Sequence, residues 1–380
     1  MKRTNFLPYF VPTIEDDEVK EVVDTLKSGW LTQGPKTIEF ERLIAEYSGA
    51  KYAVCVNSCT AALHLSLIGL GIGPGDEVIT SPYTFGSTAN VIVHTGAKPV
   101  FADICKDTYN INPEEIEKAI TFRTKAIIPV HFAGQPCDLK RIHDIAHDKG
   151  IFVIEDAAHA IGAEFEGTKI GSLSDTTCFS FYATKNITTG EGGAITTNNE
   201  ELADKLRILR LHGISKDAWK RYSAAGSWYY EIEACGYKCN MTDLQAALGI
   251  HQIKKLDKFV DARRRYAHSY NREFEDISSV VTPFESPNVK HPYHLYPILI
   301  QNFDRNLFIE RMKEENIGTS VHFIPLHLHP YYRDTFGFKK GDFPIAEMVY
   351  EHEVSLPLYP KMKEEDVIEV SNIVLSILQE

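Results

Sequence analysis

The stretch CFSFYATKNITTGEGGAITT, residues 178–197, places a lysine between an apolar run and a glycine-rich turn. The β-branched and aromatic residues at its two ends predict strands, and Gly-Glu-Gly-Gly at 190–193 predicts a turn between them. Lys185 stands just before that turn, among Thr and Asn residues. On this stretch alone, three roles are open to Lys185: a solvated surface lysine, a phosphate ligand or a covalent catalyst.

The chain around this stretch alternates between short β-rich runs and helical patterns. The runs that predict strands are YAVCV (52–56), EVIT (77–80), KPVFADI (98–104), TKAIIPVHF (124–132), IFVIED (151–156), TTCFSF (176–181) and GAITT (193–197). Helical patterns with polar or Pro starts and several Gly ends separate the earlier runs. Continuous apolar strands that alternate with helices are typical of a mainly parallel sheet covered on both faces. We therefore predict an α/β fold with a seven-stranded sheet.

The second half of the chain has a different pattern of predicted helices and strands. A long helical pattern covers 241–274, and Pro-punctuated strands and shorter helices follow it. With 380 residues, the chain is also long for a single hydrophobic core. We predict a large domain over residues 1–255, which includes the N-terminal segment, and a smaller α+β domain over residues 256–380.

Composition and charge exclude several classes of partner. The formal net charge of -12 argues against a nucleic acid or an anionic membrane as partner, since both need a basic face. The sequence has no secretory signal pattern and no uninterrupted apolar run of about 18 residues, which predicts a cytoplasmic protein. Seven scattered cysteines include two pairs spaced four apart, Cys55 with Cys59 and Cys235 with Cys239. A zinc site is conceivable at this spacing, but buried thiols in a reducing compartment are favoured, and no metal is expected.

The residues that follow each predicted strand are the place to look for a ligand site, because open α/β sheets bind ligands beyond the carboxyl ends of their strands. The candidates are Asn57-Ser58-Cys59-Thr60 at a helix start, Phe85, Asp156 with His159, and Lys185. Each also has an ordinary structural reading, as a helix cap, a core aromatic, an exposed strand end or a solvated lysine.

Pyridoxal phosphate is one cofactor whose chemistry uses all of these groups. It needs a lysine for the Schiff base, a carboxylate against the pyridine nitrogen, a helix start for the phosphate and a flat group on the ring. Lys185, Asp156, residues 58–60 and Phe85 supply them in turn. A nucleotide site is disfavoured, because Gly-Glu-Gly-Gly is neither a dinucleotide fingerprint nor a Walker A loop.

The sequence resembles the DegT-type sugar aminotransferases, which have the aspartate-aminotransferase fold, fold type I of the enzymes that use pyridoxal phosphate. The likeness covers essentially the whole chain and rests on ordered segments: SGWLTQGP, NSCTAALHLSL, GDEVITSPYTF, IEDAAHAIGA, SFYATKNITTGEGGAITT and GYKCNMTDLQAALG. SGWLTQGPK, TKAIIPVHFAG, KNITTGEGG and GYKCNMTDLQAA are similar to segments of the members that form UDP-4-amino-4-deoxy-L-arabinose from a 4-keto sugar.

The resemblance implies roles for individual residues. In this reading the cofactor contacts are Lys185 (Schiff base), Asp156 (pyridine nitrogen), His159 (beside the ring), Cys59 and Thr60 (phosphate, at the helix start), Ser180 (phosphate) and Phe85 (ring stacking). Two positions depart from the usual pattern: Cys59 replaces Gly or Ala, and Phe85 replaces the Trp of the similar members.

Other implied roles concern the substrate and a second subunit. Asn240 matches an asparagine that reaches the phosphate from the neighbouring subunit, which implies a homodimer with shared sites. Thr32 and His322 match positions that face the sugar nucleotide, and Arg221 or Lys238 is a candidate ligand of the glutamate carboxylate or the diphosphate. The proximity of His322 to His327 and His329 suggests a metal, but Pro325 and Pro330 interrupt this region and favour a loop at the substrate mouth.

The implied reaction moves an amino group from L-glutamate to a keto carbon of a nucleotide-linked sugar, with C4 favoured. It passes through pyridoxamine phosphate and releases 2-oxoglutarate. A C3 aminotransferase for a dTDP- or UDP-linked 3-keto sugar is the nearest alternative, and a non-catalytic regulatory protein that binds pyridoxal phosphate is the alternative of another class. Lysine at 185 disfavours the related sugar dehydratases, which have His there.

Overall fold

The computed structural model of the protein describes residues 3–215 and 229–379. In these ranges the α-helices are α1 (Asp16–Ser28), α2 (Pro35–Ser48), α3 (Cys59–Gly69), α4 (Gly86–His94), α5 (Pro113–Ala119), α6 (Leu139–Lys149), α7 (Glu200–Leu209), α8 (Asp243–Glu273), α9 (Arg305–Glu314), α10 (Pro330–Phe336), α11 (Pro344–His352) and α12 (Glu364–Ile377). The strands are β1 (Tyr52–Val56), β2 (Glu77–Thr80), β3 (Lys98–Phe101), β4 (Thr124–Ile128), β5 (Phe152–Asp156), β6 (Glu164–Phe165), β7 (Thr168–Lys169), β8 (Thr176–Ser180), β9 (Gly193–Thr197), β10 (Val280–Val281), β11 (Val289–Lys290), β12 (Tyr296–Ile300) and β13 (Glu353–Leu356).

The main sheet has seven strands in the order β1-β9-β8-β5-β4-β2-β3. All seven predicted runs form strands of this sheet, and only β9 is antiparallel to its neighbours, β1 and β8. The expected α/β fold with a mainly parallel sheet is therefore confirmed. Strand β4 is shorter than predicted and ends at Ile128, because Pro129 has no N–H to continue the ladder.

The strands read as continuous apolar runs because both faces of the sheet are buried. Successive residues of a strand point to opposite faces, so Ile127 joins the core on one face and Ile128 the core on the other. Phe179 and Cys178 divide between the two cores in the same way. Polar side chains cap several helices: at the start of α3, for example, the Ser58 hydroxyl accepts a hydrogen bond from the N–H of Ala61.

The C-terminal part forms a second core around the antiparallel sheet β10-β12-β13. Helix α8 runs through position 255 without interruption and serves both cores: Val260 packs in the core of the main sheet, whereas Tyr266 and Tyr270 pack in the C-terminal one. Leu7, from the N-terminal segment, also packs in the C-terminal core. The division of the chain into domains 1–255 and 256–380 stays a prediction.

Three properties concern the side chains and helices as a set. All seven cysteines are free thiols. Over the described ranges, none of the helices has the length and apolarity that crossing a membrane requires. In the same ranges, no cluster of three or more His, Cys, Asp or Glu side chains is arranged to hold a metal ion. His327 contacts Glu347 instead, with Nε2 2.8 Å from Oε1.

Candidate active site

A cavity of about 570 Å³ lies beyond the carboxyl ends of β5 and β8, beneath the C-terminal part of the chain. The topology brings together nine of the candidate residues that the sequence indicates. The residues of this set that line the cavity are Ser58, Cys59, Thr60, Phe85, Asp156, His159, Ser180, Lys185 and His322.

Lys185 lies in the loop that follows β8, and its side chain is half-buried in the cavity wall. Its backbone N–H donates to the carbonyl of Tyr182 at 2.9 Å, which fixes the start of the loop. Burial lowers the pKa of the Lys185 amine to about 8, although nearby Cys59 and Asp156 act in the opposite direction. A substantial fraction of this amine is therefore neutral near physiological pH, which both imine formation and proton transfer require.

Asp156 is the last residue of β5 and is only 4% exposed. Its Oδ2 accepts a hydrogen bond from Thr88 Oγ1 at 2.8 Å, and its Oδ1 accepts one from the N–H of Ala158 at 3.2 Å. Burial raises the pKa of the Asp156 carboxyl, while these two hydrogen bonds and the charge of Lys185 oppose the rise. A cationic ring nitrogen beside this carboxylate would complete its stabilisation.

The start of α3 has the geometry of an anion site. The first turn of a helix leaves backbone N–H groups without intrahelical partners, and those of Cys59 and Thr60 lie at the cavity. Gly193, the first residue of β9, approaches this turn so closely that a Cβ there would lie 2.5 Å from the carbonyl carbon of Ser58. Ser180, at the end of the neighbouring strand β8, adds a hydroxyl to the same region.

The thiol of Cys59 points away from this anion site. Its Sγ lies 3.5 Å from the carbonyl oxygen of Cys178 in β8, and burial raises its pKa well above the ordinary value. The unusual residue at this position therefore fills a gap between helix and sheet and leaves the backbone N–H free for a ligand.

His159 forms the wall beside Asp156 and is 8% exposed. Its ring centroid lies 4.3 Å from that of His294 and 6.0 Å from that of Phe323. Among the described residues its buried Nδ1 has no hydrogen-bond partner. Burial, and then the charge of Lys185, hold the pKa of His159 well below its usual value, so the ring is neutral.

His322 lines the opposite wall, which the C-terminal part supplies. Its Nδ1 lies 2.9 Å from Ser355 Oγ, and its backbone N–H donates to Glu353 Oε2 at 2.7 Å. The Ser355 hydroxyl also lies 2.5 Å from Glu353 Oε1. Burial lowers the pKa of His322 to about 3 and raises that of Glu353 to about 8.

Aromatic side chains at the rim leave the cavity open to solvent in the single chain. Phe85 is 67% exposed, with its ring centroid 6.2 Å from that of Phe323, and Tyr182 is 46% exposed. The structure thus places Phe85 at the mouth of the cavity rather than in the core.

Three further candidates lie together but off this cavity. Lys238 Nζ donates to Asn240 Oδ1 at 2.6 Å, and Asn240 pairs with Val56 in a bridge beside the start of α8. The carbonyl of Thr32 accepts the N–H of Asp243 at 3.2 Å, which places Thr32 at the same helix start. Arg221 lies outside the described residues.

Sequence reasoning missed several residues of the site. His294, Phe323 and the pair Glu353 and Ser355 are far from the motifs in sequence and carry no signal of their own. Thr88 was in principle accessible: three residues beyond Phe85, it falls in the first turn of α4 and faces the end of the neighbouring strands.

These residues fit pyridoxal phosphate. The start of α3 offers backbone N–H groups to a phosphate, and Gly193, which has no Cβ, leaves space beside it. The orphaned Nδ1 of His159 offers a hydrogen-bond partner at the ring, and Asp156 supplies a buried carboxylate with a lysine amine nearby.

Comparison with known proteins agrees with this geometry. Residues 12–375 match the DegT/DnrJ/EryC1/StrS aminotransferase family. The chain is 55% identical to the spore coat polysaccharide biosynthesis protein SpsC of Bacillus subtilis, over 100% of this chain and 98% of SpsC.

Two solved structures illustrate the likeness in fold. Spr1654 from Streptococcus pneumoniae, in its PLP form, has a TM-score of 0.93 and 36% identity, over 98% of this chain and 99% of its own. Helicobacter pylori PseC, an aminotransferase involved in the biosynthesis of pseudoaminic acid, has a TM-score of 0.92 and 31% identity, over 99% of this chain and 100% of its own. The chain therefore belongs to the DegT/DnrJ/EryC1/StrS aminotransferase family, as a sugar aminotransferase that depends on pyridoxal phosphate.

Proposed function

We propose that the protein transfers the amino group of L-glutamate to a keto carbon, C4, of a nucleotide-linked sugar, in the synthesis of amino sugars for cell-surface polysaccharides. The observation that carries this proposal is the convergence of Lys185, Asp156 and His322 on one cavity that is open at its mouth. An open mouth suits a substrate whose nucleotide extends beyond the reacting sugar. The roles of SpsC in spore coat polysaccharide and of PseC in pseudoaminic acid synthesis support the same class of product.

The chain's own residues divide the chemistry between them. Bound pyridoxal phosphate supplies an electron sink for charge that develops at the carbon bearing the transferred nitrogen. Asp156 would hold the protonated ring nitrogen, and the N–H groups of Cys59 and Thr60 with the hydroxyl of Ser180 would hold the phosphate. Phe85 would stack on the ring and His159 would contact its edge.

Lys185 is the proposed proton carrier. Once its amine is released by the amino donor, Nζ takes the proton from Cα of glutamate, and in the second half-reaction it returns a proton to the sugar carbon. A pKa of about 8 suits both steps, since an amine near its pKa both accepts and donates protons readily at neutral pH.

We also propose that the active unit is a homodimer in the cytoplasm. Thr32, Lys238 and Asn240 cluster at the start of α8 without lining the cavity of their own chain, and Phe85 and Tyr182 leave large aromatic surfaces exposed at its rim. A second copy would cover those rings and bring Asn240 to the neighbouring phosphate, with Lys238 near the substrate's negative groups. Arg221, the other candidate for that role, lies outside the described residues. The test is to mix Lys185→Ala and Asn240→Ala subunits: shared sites restore activity that neither variant has alone.

The substrate is tested by the reverse half-reaction. The enzyme loaded with pyridoxal phosphate is mixed with a panel of amino-sugar nucleotides that differ in C3 or C4 amination and in the nucleotide. The proposal expects a UDP-linked 4-amino sugar to abolish the imine absorbance band at the lowest concentration. Preferential bleaching by a 3-amino sugar would assign the reaction to C3, and no bleaching by any member would contradict the proposed substrate class.

A further inference from the structure

The wall that His322 forms contains a continuous hydrogen-bonded chain from the cavity to a buried carboxyl. His322 Nδ1 lies 2.9 Å from Ser355 Oγ, and Ser355 Oγ lies 2.5 Å from Glu353 Oε1. The other carboxyl oxygen accepts the backbone N–H of His322 at 2.7 Å, which fixes the orientation of the Glu353 side chain. Since Nδ1 is turned to Ser355 and the ring lines the cavity, Nε2 is the nitrogen left on the cavity side.

The direction of the hydrogen bonds between His322, Ser355 and Glu353 depends on whether the Glu353 carboxyl is protonated. With Glu353 ionised, the carboxylate only accepts, so Ser355 donates to Glu353 and His322 Nδ1–H donates to Ser355, which leaves Nε2 as an acceptor. With Glu353 protonated, its O–H donates to Ser355, the Ser355 O–H donates to Nδ1, and the ring proton resides on Nε2 as a donor. The two states differ by one proton, taken up at Nε2 and passed along the chain to Glu353.

We propose that Glu353, acting through Ser355, is a positioning residue that sets whether His322 offers a hydrogen-bond donor or an acceptor to a hydroxyl group of the sugar. The proposal rests on the proposed function for the identity of the ligand, and on the geometry alone for the tautomer of His322.

The surroundings of Glu353 favour a change of state near neutral pH. Glu353 is fully buried, and burial raises its pKa to about 8 against the hydrogen bonds from Ser355 and His322. Glu155 is equally buried, yet bonds from the His131 ring and from Thr177 outweigh burial and lower its pKa. The Glu353 carboxyl has no histidine partner of this kind: its hydrogen bonds come from the Ser355 hydroxyl and the backbone N–H of His322.

The other polar groups around Glu353, Ser355 and His322 do not replace the hydrogen bonds that connect these three residues. Arg305 from α9 faces the strand, but its Nη1 donates to the backbone carbonyl of Glu353 at 3.2 Å rather than to the carboxyl. Tyr9, Tyr83 and Tyr109 stay protonated, since burial and then the charge of Glu353 raise their pKa values. Lys185 faces His322 across the cavity, and its charge, after burial, disfavours an imidazolium there. Moving a proton on to Glu353 therefore keeps the ring neutral in both states.

The tautomer of His322 can be measured directly by ¹⁵N NMR of the holoenzyme labelled at histidine, without any sugar. The His322 signals are those that disappear in His322→Asn. We expect the protonated nitrogen to be Nε2 below pH 8 and Nδ1 above it, with the midpoint following Glu353. In Ser355→Ala and in Glu353→Gln, the tautomer should no longer change with pH. Ser371→Ala is the matched control, because it removes another buried serine hydroxyl, bonded to the carbonyl of Val367, and should leave the switch intact.

A single His322 tautomer across this pH range in the wild type, or a switch that survives in Ser355→Ala, would overturn the proposal. Ser355→Ala keeps the test available should Glu353→Gln fail to fold. Kinetics add a second readout: Ser355→Ala should raise the KM for the sugar nucleotide by about three- to tenfold and leave the amino-donor half-reaction unchanged. Equal loss in both half-reactions would indicate a structural defect instead. Because the NMR readout needs no substrate, failure of the proposed sugar specificity would leave its result standing.

Discussion

Thr88 donates a hydrogen bond of 2.8 Å to Oδ2 of Asp156, from the first turn of α4 to the end of β5. Thr84 in turn lies 2.9 Å from the Thr88 hydroxyl, so two threonines support one buried carboxylate. This support opposes the effect of burial, which on its own favours the neutral form of Asp156.

Thr88→Val should weaken the binding of pyridoxal phosphate. The change keeps the shape of the side chain and removes a hydrogen bond to a charged group, which is worth about 1.5–3 kcal/mol, or roughly tenfold or more in the dissociation constant. Titration of the apoenzyme with pyridoxal phosphate, followed by absorbance, measures the loss. Thr95→Val, which removes a hydroxyl bonded to the carbonyl of Ile92 away from the cavity, is the control. Equal affinity in Thr88→Val and wild type would show that Asp156 needs no such support.

Gly193→Ala should disturb the phosphate region and the fold together. The new Cβ would lie 2.5 Å from the carbonyl carbon and 2.7 Å from the carbonyl oxygen of Ser58, and backbone atoms cannot move aside as a flexible side chain would. We expect a loss in the free energy of unfolding of about 1–3 kcal/mol, typical of overpacking, together with weaker cofactor binding. Gly73→Ala is the control, since its Cβ meets its nearest atom, the carbonyl oxygen of Thr95, at an ordinary 3.6 Å. Chemical denaturation of both variants tests this, and indistinguishable curves would be evidence against the close approach.

Cys59→Ala should leave the affinity for pyridoxal phosphate almost unchanged, because the Cys59 thiol faces Cys178 and the ligand would use only the backbone N–H of residue 59. For the same reason its thiol should resist alkylation: burial raises its pKa well above the ordinary value. Treatment with iodoacetamide and peptide mass spectrometry should find the exposed Cys235 labelled long before Cys59. Rapid labelling of Cys59, protected by pyridoxal phosphate, would instead place the thiol in the ligand site.

Glu353 should make the free energy of unfolding fall as the pH rises. Its pKa rises from an ordinary 4.5 to about 8 in the folded state, so its contribution is fully present below pH 4.5 and is lost as the pH rises through 8. Glu353→Gln removes that dependence, and its stability relative to wild type should increase with pH by at most about 1.4 kcal/mol per pH unit. Denaturation at a series of pH values measures the difference. A constant difference across that range would mean that the carboxyl is ionised throughout.

The sequence made the sheet and half of the site predictable for a physical reason. Buried strands demand continuous apolar residues, so polar groups at or just beyond their ends stand out in the sequence, as Asp156 does at the end of β5 and Lys185 does in the loop after β8. The residues that hold these groups in place cannot be recognised in the same way. Thr88 and Ser355 are common residue types, and only the tertiary structure determines which side chains they bond to. Asn240 illustrates a further limit, because a residue proposed to act in a neighbouring subunit has no counterpart within one chain.

The proposed role of Lys185 is tested by finding the lysine that binds the cofactor. The holoenzyme is reduced with borohydride, digested and analysed by peptide mass spectrometry, with Lys185→Ala treated in parallel. We expect a phosphopyridoxyl group on Lys185 in the wild type, and no modified lysine and no transamination in the variant. Stable modification of a different lysine, or continued turnover by Lys185→Ala, would contradict it.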